Sequence, residues 1–311
     1  MNALVGYTGF VGSNIFASGD FEYAYNSKNI TEAYGTEPDL LVYAGLSAEK
    51  YLANNDPKAD YQKIVQAESN IKKINPEKLV LISTIDVFKV PDNVDEHSEI
   101  CIKDLHAYGL NRYRLEQWVR ENYNGSLIVR LPGLFGKNLK KNFIYDIINV
   151  IPFMLKADKF NELCARKDIL KDYYTLQDNG FYKVKVNDNE RPFLKNIFNE
   201  LGFSSINFTD SRSVYQFYNL ERLWNDIKIA LDNNISLFHP STEPIAASEL
   251  YKFLTGKEFK NEILEHPVIY NYKTIYNNYY GGKNGYIIDK LTTMEEIKKY
   301  VDDNNKSNLK K

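Results

Sequence analysis

The chain has 311 residues, 43% of them apolar, and a formal net charge of −2. This length suits one large domain or two small ones. The near balance of charge excludes the basic footprint of a nucleic-acid or anionic-membrane binder. Two cysteines, Cys101 and Cys164, cannot build a disulfide framework, and no Cys/His cluster has the spacing of a metal site, so no metal is expected. No apolar run reaches the length of a membrane span; residues 144–155 come nearest, and Asp146 and Asn149 interrupt them. The first residues pass straight into a strand pattern, which leaves no room for a signal peptide and gives a cytoplasmic location as the expectation.

In chain order, Ala3-Leu4-Val5 is the first predicted strand, followed by Gly6-Tyr7-Thr8-Gly9-Phe10-Val11-Gly12 and a helix start at residues 13–16. A strand, a glycine-rich turn and a helix start are the parts of a dinucleotide cradle. The first glycine permits the turn, the second admits a pyrophosphate to the backbone, and the third lets helix and strand pack closely. The spacing is G-x-x-G-x-x-G, so the turn alone is a weak signal. Strands follow at residues 22–25, 39–44, 79–83 and 127–131, with helices at 61–74 and 107–122 between them. Such an alternation predicts an α/β fold with a doubly wound parallel sheet, whose ligands sit beyond the C-terminal strand ends.

The second half is less regular. Helices are expected at 143–155, 192–201, 219–232, 246–254 and 294–301, with a short strand at 236–239. The expected organisation is a dinucleotide-binding Rossmann domain over 1–135, to which 208–232 returns. A smaller mixed α/β substrate-binding part takes 136–207 and 233–302, and the polar residues 303–311 form a flexible tail.

The residues that suggest chemistry are Ser83-Thr84 at the end of the fourth strand and Tyr108 on the next helix, with Arg112 and Glu116 at i+4 and i+8 on the same face. A cation one turn away lowers a phenol's pKa towards working pH, and a neighbouring hydroxyl can polarise a carbonyl. Each piece also has a plainer reading: a core aromatic, a solvated ion pair and strand-end caps.

Taken together, the pieces resemble the extended short-chain dehydrogenase/reductase family, with the pattern nearest that of its dTDP-4-dehydrorhamnose reductases. The resemblance runs from Leu4 to about Leu254. In that family G-x-x-G-x-x-G binds the cofactor, and a strand-end Ser/Thr with Tyr-x-x-x-Lys does the chemistry on nucleotide-activated sugars. Ser83-Thr84-Ile85-Asp86-Val87-Phe88 and Tyr108-Gly109-x-x-Arg112-x-x-x-Glu116 look like its catalytic segments, with arginine in place of the usual lysine. The resemblance implies Thr84, Tyr108, Arg112 and Asp86 as catalytic residues. It implies Gly6, Thr8, Gly9, Phe10, Val11, Gly12, Ala44, Gly45, Leu46, Leu131, Pro132 and Leu134 as cofactor contacts, together with Tyr108 and Arg112. Asn142 and Arg212 would contact substrate, Arg212 at the sugar-nucleotide diphosphate. Arginine does not readily pass protons, so Arg112 puts the proton relay in question.

Asp86 has two readings, an acid/base group facing the sugar or a strand-end carboxylate held by backbone N–H groups. His106 is read as a loop residue. No acid follows the second strand; Asn26, Ser27 and Lys28 stand there, which favours NADP, with NAD as the alternative. The expected activity is NAD(P)-dependent reduction of a 4-keto nucleotide sugar by a homodimer. The alternatives are an epimerase or dehydratase that recycles NAD, and a cofactor-binding regulatory or scaffold subunit without turnover.

Overall fold

The computed structural model describes residues 1–103 and 105–309, with side chains through Asn304. In chain order the elements are β1 (Asn2–Val5), α1 (Phe10–Ser18), β2 (Tyr23–Tyr25), β3 (Leu40–Tyr43), α2 (Lys50–Asn55), α3 (Pro57–Ile74), β4 (Lys78–Thr84), α4 (Ala107–Asn122), β5 (Leu127–Leu131) and β6 (Gly133–Phe135). There follow α5 (Phe143–Ile148), β7 (Met154–Lys156), α6 (Ala157–Arg166), β8 (Tyr174–Leu176), β9 (Phe181–Val184) and α7 (Arg191–Leu201). The last are β10 (Val214–Tyr215), β11 (Phe217–Asn219), α8 (Leu223–Asp232), β12 (Leu237–Phe238), β13 (Ile245–Ala246), α9 (Ala247–Thr255) and α10 (Lys290–Leu309).

The chain forms two compact units. The first holds Met1–Leu139, Val214–Ile245 and Val268–Ile297; the second holds Lys140–Ser213, Ala246–Pro267 and the chain from Lys298 on. The first unit is built on a six-stranded sheet in the order β12-β5-β4-β3-β1-β2, every pair parallel. Side-chain alternation sorts its strands between two cores. Leu4, Val42, Val80 and Val129 pack with Ile15 of α1 and with Leu223, Trp224 and Ile227 of α8. Leu41, Tyr43, Leu79 and Leu81 pack with Ile64, Ile71 and Ile74 of α3 and with Leu115 and Val119 of α4. Successive crossovers therefore leave β1 in opposite directions, to β2 on one side and β3 on the other. In such a doubly wound sheet the crevice beyond the strand ends at that reversal is where ligands bind.

The second unit carries an antiparallel sheet, β7-β9-β8, whose core joins Leu155 and Tyr174 to Phe160 and Leu163 of α6 and to Leu194 and Phe198 of α7.

Four expectations need correcting. The strand near 236–239 is β12 and pairs with β5, so residues 233–245 cluster with the first unit, as do 268–297, rather than with the substrate-binding part. The helix expected over 143–155 stops at Ile148, because Pro152 disfavours helical backbone before it, and the chain then enters β7. Residues 217–219 are a strand paired with β6, and the helix there begins only at Leu223. The last helix runs from Lys290 to Leu309, so a polar composition does not prevent helix over most of the expected tail; Lys310 and Lys311 lie outside the described residues.

Candidate active site

The glycine turn lies where the crossovers diverge. Gly6 has φ +95°, a conformation open to glycine, and its N–H donates to the Tyr25 carbonyl at 2.7 Å. A Cβ on Gly6 would collide with the Ala44 carbonyl, and one on Gly12 would collide with the Gly6 carbonyl. The chain ends of β1, β2 and β3 are thus pressed together at Gly6, Tyr25 and Ala44, and α1 starts against them. Gly9 at the N-cap of α1 offers no side chain, so the first N–H groups of the helix keep no side-chain cap. Uncapped N–H groups and the helix dipole make this a seat for an anionic group. Thr8 and Gly9 are exposed there, while Phe10 and Val11 are half-buried against the core. Ala44 donates its N–H to Val5 at 2.9 Å, and Gly45 and Leu46 continue the strand end.

The catalytic pieces converge at the end of β4. The Thr84 hydroxyl is among the groups that act on the Tyr108 phenol, favouring its charged form, and accepts the Asp86 N–H at 3.1 Å. Tyr108 sits in the first turn of α4, whose N-cap is His106; the His106 Nδ1 accepts the Gly109 N–H at 3.0 Å. Asn54 of α2 accepts the Tyr108 N–H at 2.9 Å. A Cβ at Gly109 would strike the Asp86 carbonyl, so glycine is what lets α4 lie directly on the loop after β4.

Arg112 lies against Tyr108, as its spacing suggests, but it is engaged elsewhere as well. Its guanidinium is buried, paired with Asp60 of α3 and donating to the Ser47 carbonyl at 2.9 Å. Its central carbon lies 4.0 Å from the centre of the Tyr108 ring. The expected fall in the Tyr108 pKa is overturned. Burial pushes this phenol up, Arg112 pulls the other way, and Asp86 adds to the rise. Burial wins because transferring a phenolate out of water costs more than a cation that is itself neutralised by Asp60 returns.

The Asp86 carboxylate is held by side chains and not by backbone N–H groups, contrary to the second of its two readings. Its Oδ1 accepts from the Tyr270 hydroxyl at 2.9 Å and lies 3.0 Å from the Lys50 ammonium. The carboxylate is 18% exposed. His106 is a helix cap, and burial and Lys50 hold it in the neutral form.

Ser83 and Glu116 belong to a sealed network beside this cluster. The Ser83 hydroxyl donates to Glu116 at 2.5 Å, and Arg130 grips the same carboxylate with Nε and Nη2 at 3.1 and 2.6 Å. The Arg130 Nη1 faces the His239 Nε2 at 3.3 Å, and His239 is fully buried, its pKa pushed down to about 3 by burial and by Arg130. Leu131 follows Arg130 into the core, whereas Pro132 and Leu134 are half-buried.

The remaining expected residues have partners of their own. Asn26 and Asn29 close a turn on themselves, Asn26 accepting the Lys28 N–H at 2.8 Å and Asn29 accepting the Asn26 N–H at 2.8 Å; Ser27 and Lys28 are exposed on it. In the second unit, Asn142 caps α5 by accepting the Tyr145 N–H at 3.0 Å. Arg212 is bound to Asp210 through Nε and Nη2 at 3.0 and 2.8 Å, with Glu262 at 3.8 Å. The guanidinium holds Asp210 well below the usual carboxylate range. A diphosphate would have to compete with both carboxylates for Arg212.

Sequence reasoning missed Asp60, Lys50 and Tyr270. A signal existed for Asp60. It falls on the stripe 60, 64, 67, 71 and 74 that α3 buries, and a carboxylate on a buried stripe needs a cation. Lys50 and Tyr270 meet Asp86 only through tertiary folding, and no local pattern marks them.

These features define a class: the fold is that of the extended short-chain dehydrogenases/reductases, a six-stranded parallel sheet with a glycine cradle at its point of reversal. No family model and no curated protein matches the sequence. Solved structures do. A dTDP-4-dehydrorhamnose reductase from Bacillus anthracis, in complex with NADP, aligns with TM-score 0.59 and 15% identity over 96% of each chain. A short-chain dehydrogenase/reductase superfamily protein from Agrobacterium tumefaciens, with bound NAD, aligns with TM-score 0.62 and 13% identity over 99% of this chain and 98% of that one. A UDP-N-acetylglucosamine 4-epimerase from Methanobrevibacter ruminantium, in complex with UDP-N-acetylmuramic acid, aligns with TM-score 0.61 and 11% identity over 97% and 96%. At such identities the likeness fixes the fold. Among the described residues, no helix is long and apolar enough to cross a membrane, and no group of three or more His, Cys, Asp or Glu is placed to hold a metal.

Proposed function

We propose that the protein is a nicotinamide-dinucleotide-dependent oxidoreductase that reduces a keto group on a nucleotide-activated sugar. The observation that carries this reading is a phenol at Tyr108 that burial keeps protonated, set in the first turn of α4 with the strand-end Thr84 hydroxyl among the groups acting on it. Reduction of a carbonyl needs a proton donor at that place. Epimerisation or dehydration by a recycled cofactor starts by withdrawing a proton, for which a phenol pushed upward is poorly suited.

The cradle fits a dinucleotide. Gly6 and Gly12 let the ends of β1, β3 and the start of α1 pack closer than any Cβ would allow, and the uncapped start of α1 suits a pyrophosphate. Ala44, Gly45 and Leu46 would flank the bound molecule. NADP is the preferred dinucleotide, because the exposed turn after β2 offers Lys28 and no carboxylate to repel a 2′-phosphate. When bound, the nicotinamide supplies hydride chemistry. The protein's own part is to orient the carbonyl with the Thr84 hydroxyl, to give its oxygen a proton from Tyr108, and to hold the start of α4 rigid through Gly109 and Asn54. Arg112 fits the ribose-binding role poorly, since Asp60 and Ser47 already occupy its guanidinium.

That last observation favours one second reading, a dinucleotide-binding subunit without turnover. The test is direct. The protein is purified, its retained dinucleotide identified by native mass spectrometry, and consumption of reduced cofactor followed with a panel of nucleotide-linked 4-keto hexoses. Consumption in proportion to product, abolished in Y108F with dinucleotide binding intact, supports the reductase. Interconversion without net consumption supports a recycling epimerase or dehydratase. Binding without turnover, unaffected by Y108F, supports the second reading.

A further inference from the structure

The cation expected to govern Tyr108 is closed off, and a second charged cluster stands at the same phenol. Asp86 is fixed both to α4 and to the end of β4. Its main-chain carbonyl lies where Gly109 admits the helix, and its N–H donates to the Thr84 hydroxyl. Its carboxylate is then held from two further elements, by Lys50 at the start of α2 and by Tyr270 in the segment after Val268, both on Oδ1. Tyr270 stacks on Tyr215, the ring centres 6.3 Å apart and the planes 26° from parallel, so the donor hydroxyl is held by packing as well. Two remote stretches of chain thus direct polar groups at one carboxylate.

We propose that Tyr270 and Lys50 are positioning residues for the Asp86 carboxylate beside Tyr108: Tyr270 holds it there, so that the site favours giving a proton over taking one, and Lys50 tempers its charge. The inference rests on the reductase reading and deepens it. The groups acting on Tyr108 can be named by element: Arg112 on α4, Asp60 on α3, Asp86 after β4 and the Thr84 hydroxyl on β4. Lys50 on α2 acts on Asp86 and on His106, and Tyr270 acts on Asp86. Arg112 and Asp60 offset each other in a buried pair. Asp86 and Lys50 form the more exposed pair, whose balance solvent and substrate can alter. Asp86 draws the phenol towards its neutral form, and Lys50 limits how far.

Tyrosine labelled at Cζ with carbon-13 allows the titration of Tyr108 to be read by NMR in the full-length protein, its signal identified by loss in Y108F. D86N is expected to move the Tyr108 midpoint down by about one pH unit, and K50M to move it up. Y270F, which changes no charge, is expected to move it down by less than D86N. A Tyr108 midpoint unchanged in both D86N and K50M would overturn the proposal and leave Asp86 as a strap between loops. This readout needs no turnover, so it fails or stands apart from the reductase reading, which falls if Y108F turns over substrate at the rate of the unaltered protein. Should D86N fold poorly, K50M and K50R carry the test: K50R is expected to keep the midpoint and K50M to shift it. Equal midpoints in K50M and K50R would count against the proposal.

Discussion

Ser83 and Thr84 are adjacent hydroxyls at the end of one strand, and both reach α4, yet they enter clusters of opposite character. The Ser83 cluster is complete. Glu116 is wholly buried, Arg130 meets it with two nitrogens, and His239 and Ser83 fill the remaining directions. The Thr84 cluster uses similar residue types, an arginine and two carboxylates, but adds a buried phenol and a partly exposed carboxylate. A polar network closed on itself serves to fix structure. A network that ends at a proton-bearing oxygen can act on something else.

Four measurements can break or sharpen this contrast. Y108F should have the largest effect, a loss of about 10²–10⁴-fold in turnover with a nearly unchanged melting temperature. E116Q should do the reverse and cost about 3–5 kcal/mol in chemical denaturation, since it strands the buried Arg130 charge. Lowering the pH should attack the closed cluster most strongly, through His239. Its pKa is depressed from 6.5 to about 3, so the stability it contributes is present above 6.5 and lost as pH falls through about 3. H239Q should flatten that part of the stability–pH curve. The pair T84V and S83A is the finest comparison. T84V should lower turnover by about 10²-fold at little cost in stability. S83A should cost about 1 kcal/mol in stability and leave turnover alone. Equal effects of the two on turnover would mean that the closed cluster is not merely structural.

The parallel sheet was legible because buried strands and amphipathic helices write themselves locally. Leu41-Val42-Tyr43 and Leu79-Val80-Leu81 read as strands, and the stripe of α3 reads as a helix. Thr84 and Tyr108 were legible by spacing on one strand end and one helix. The partners of Arg112 were not, because a guanidinium reaches whatever the fold brings near, and Asp60 is 52 residues away in sequence. The same holds for Asp86, whose donor Tyr270 is 184 residues away. The membership of 233–245 in the first unit was hidden for another reason. A two-residue strand such as β12 takes its identity from pairing with β5, and its own sequence says little.

Gly6 donates to Tyr25 and abuts Ala44, so the cradle exists only after β2 and β3 have both closed on β1. An emerging chain has no phosphate seat until about 44 residues are in place and three strands have paired. On the proposed function, a dinucleotide supplied during synthesis would act as a late clasp on the N-terminal half of the sheet. At a hundredfold excess over its dissociation constant it would add about 2.7 kcal/mol, a sizeable share of the roughly 5–15 kcal/mol by which domains are stable. The abundance of the folded protein should therefore follow the supply of its ligand, quite apart from any catalysis.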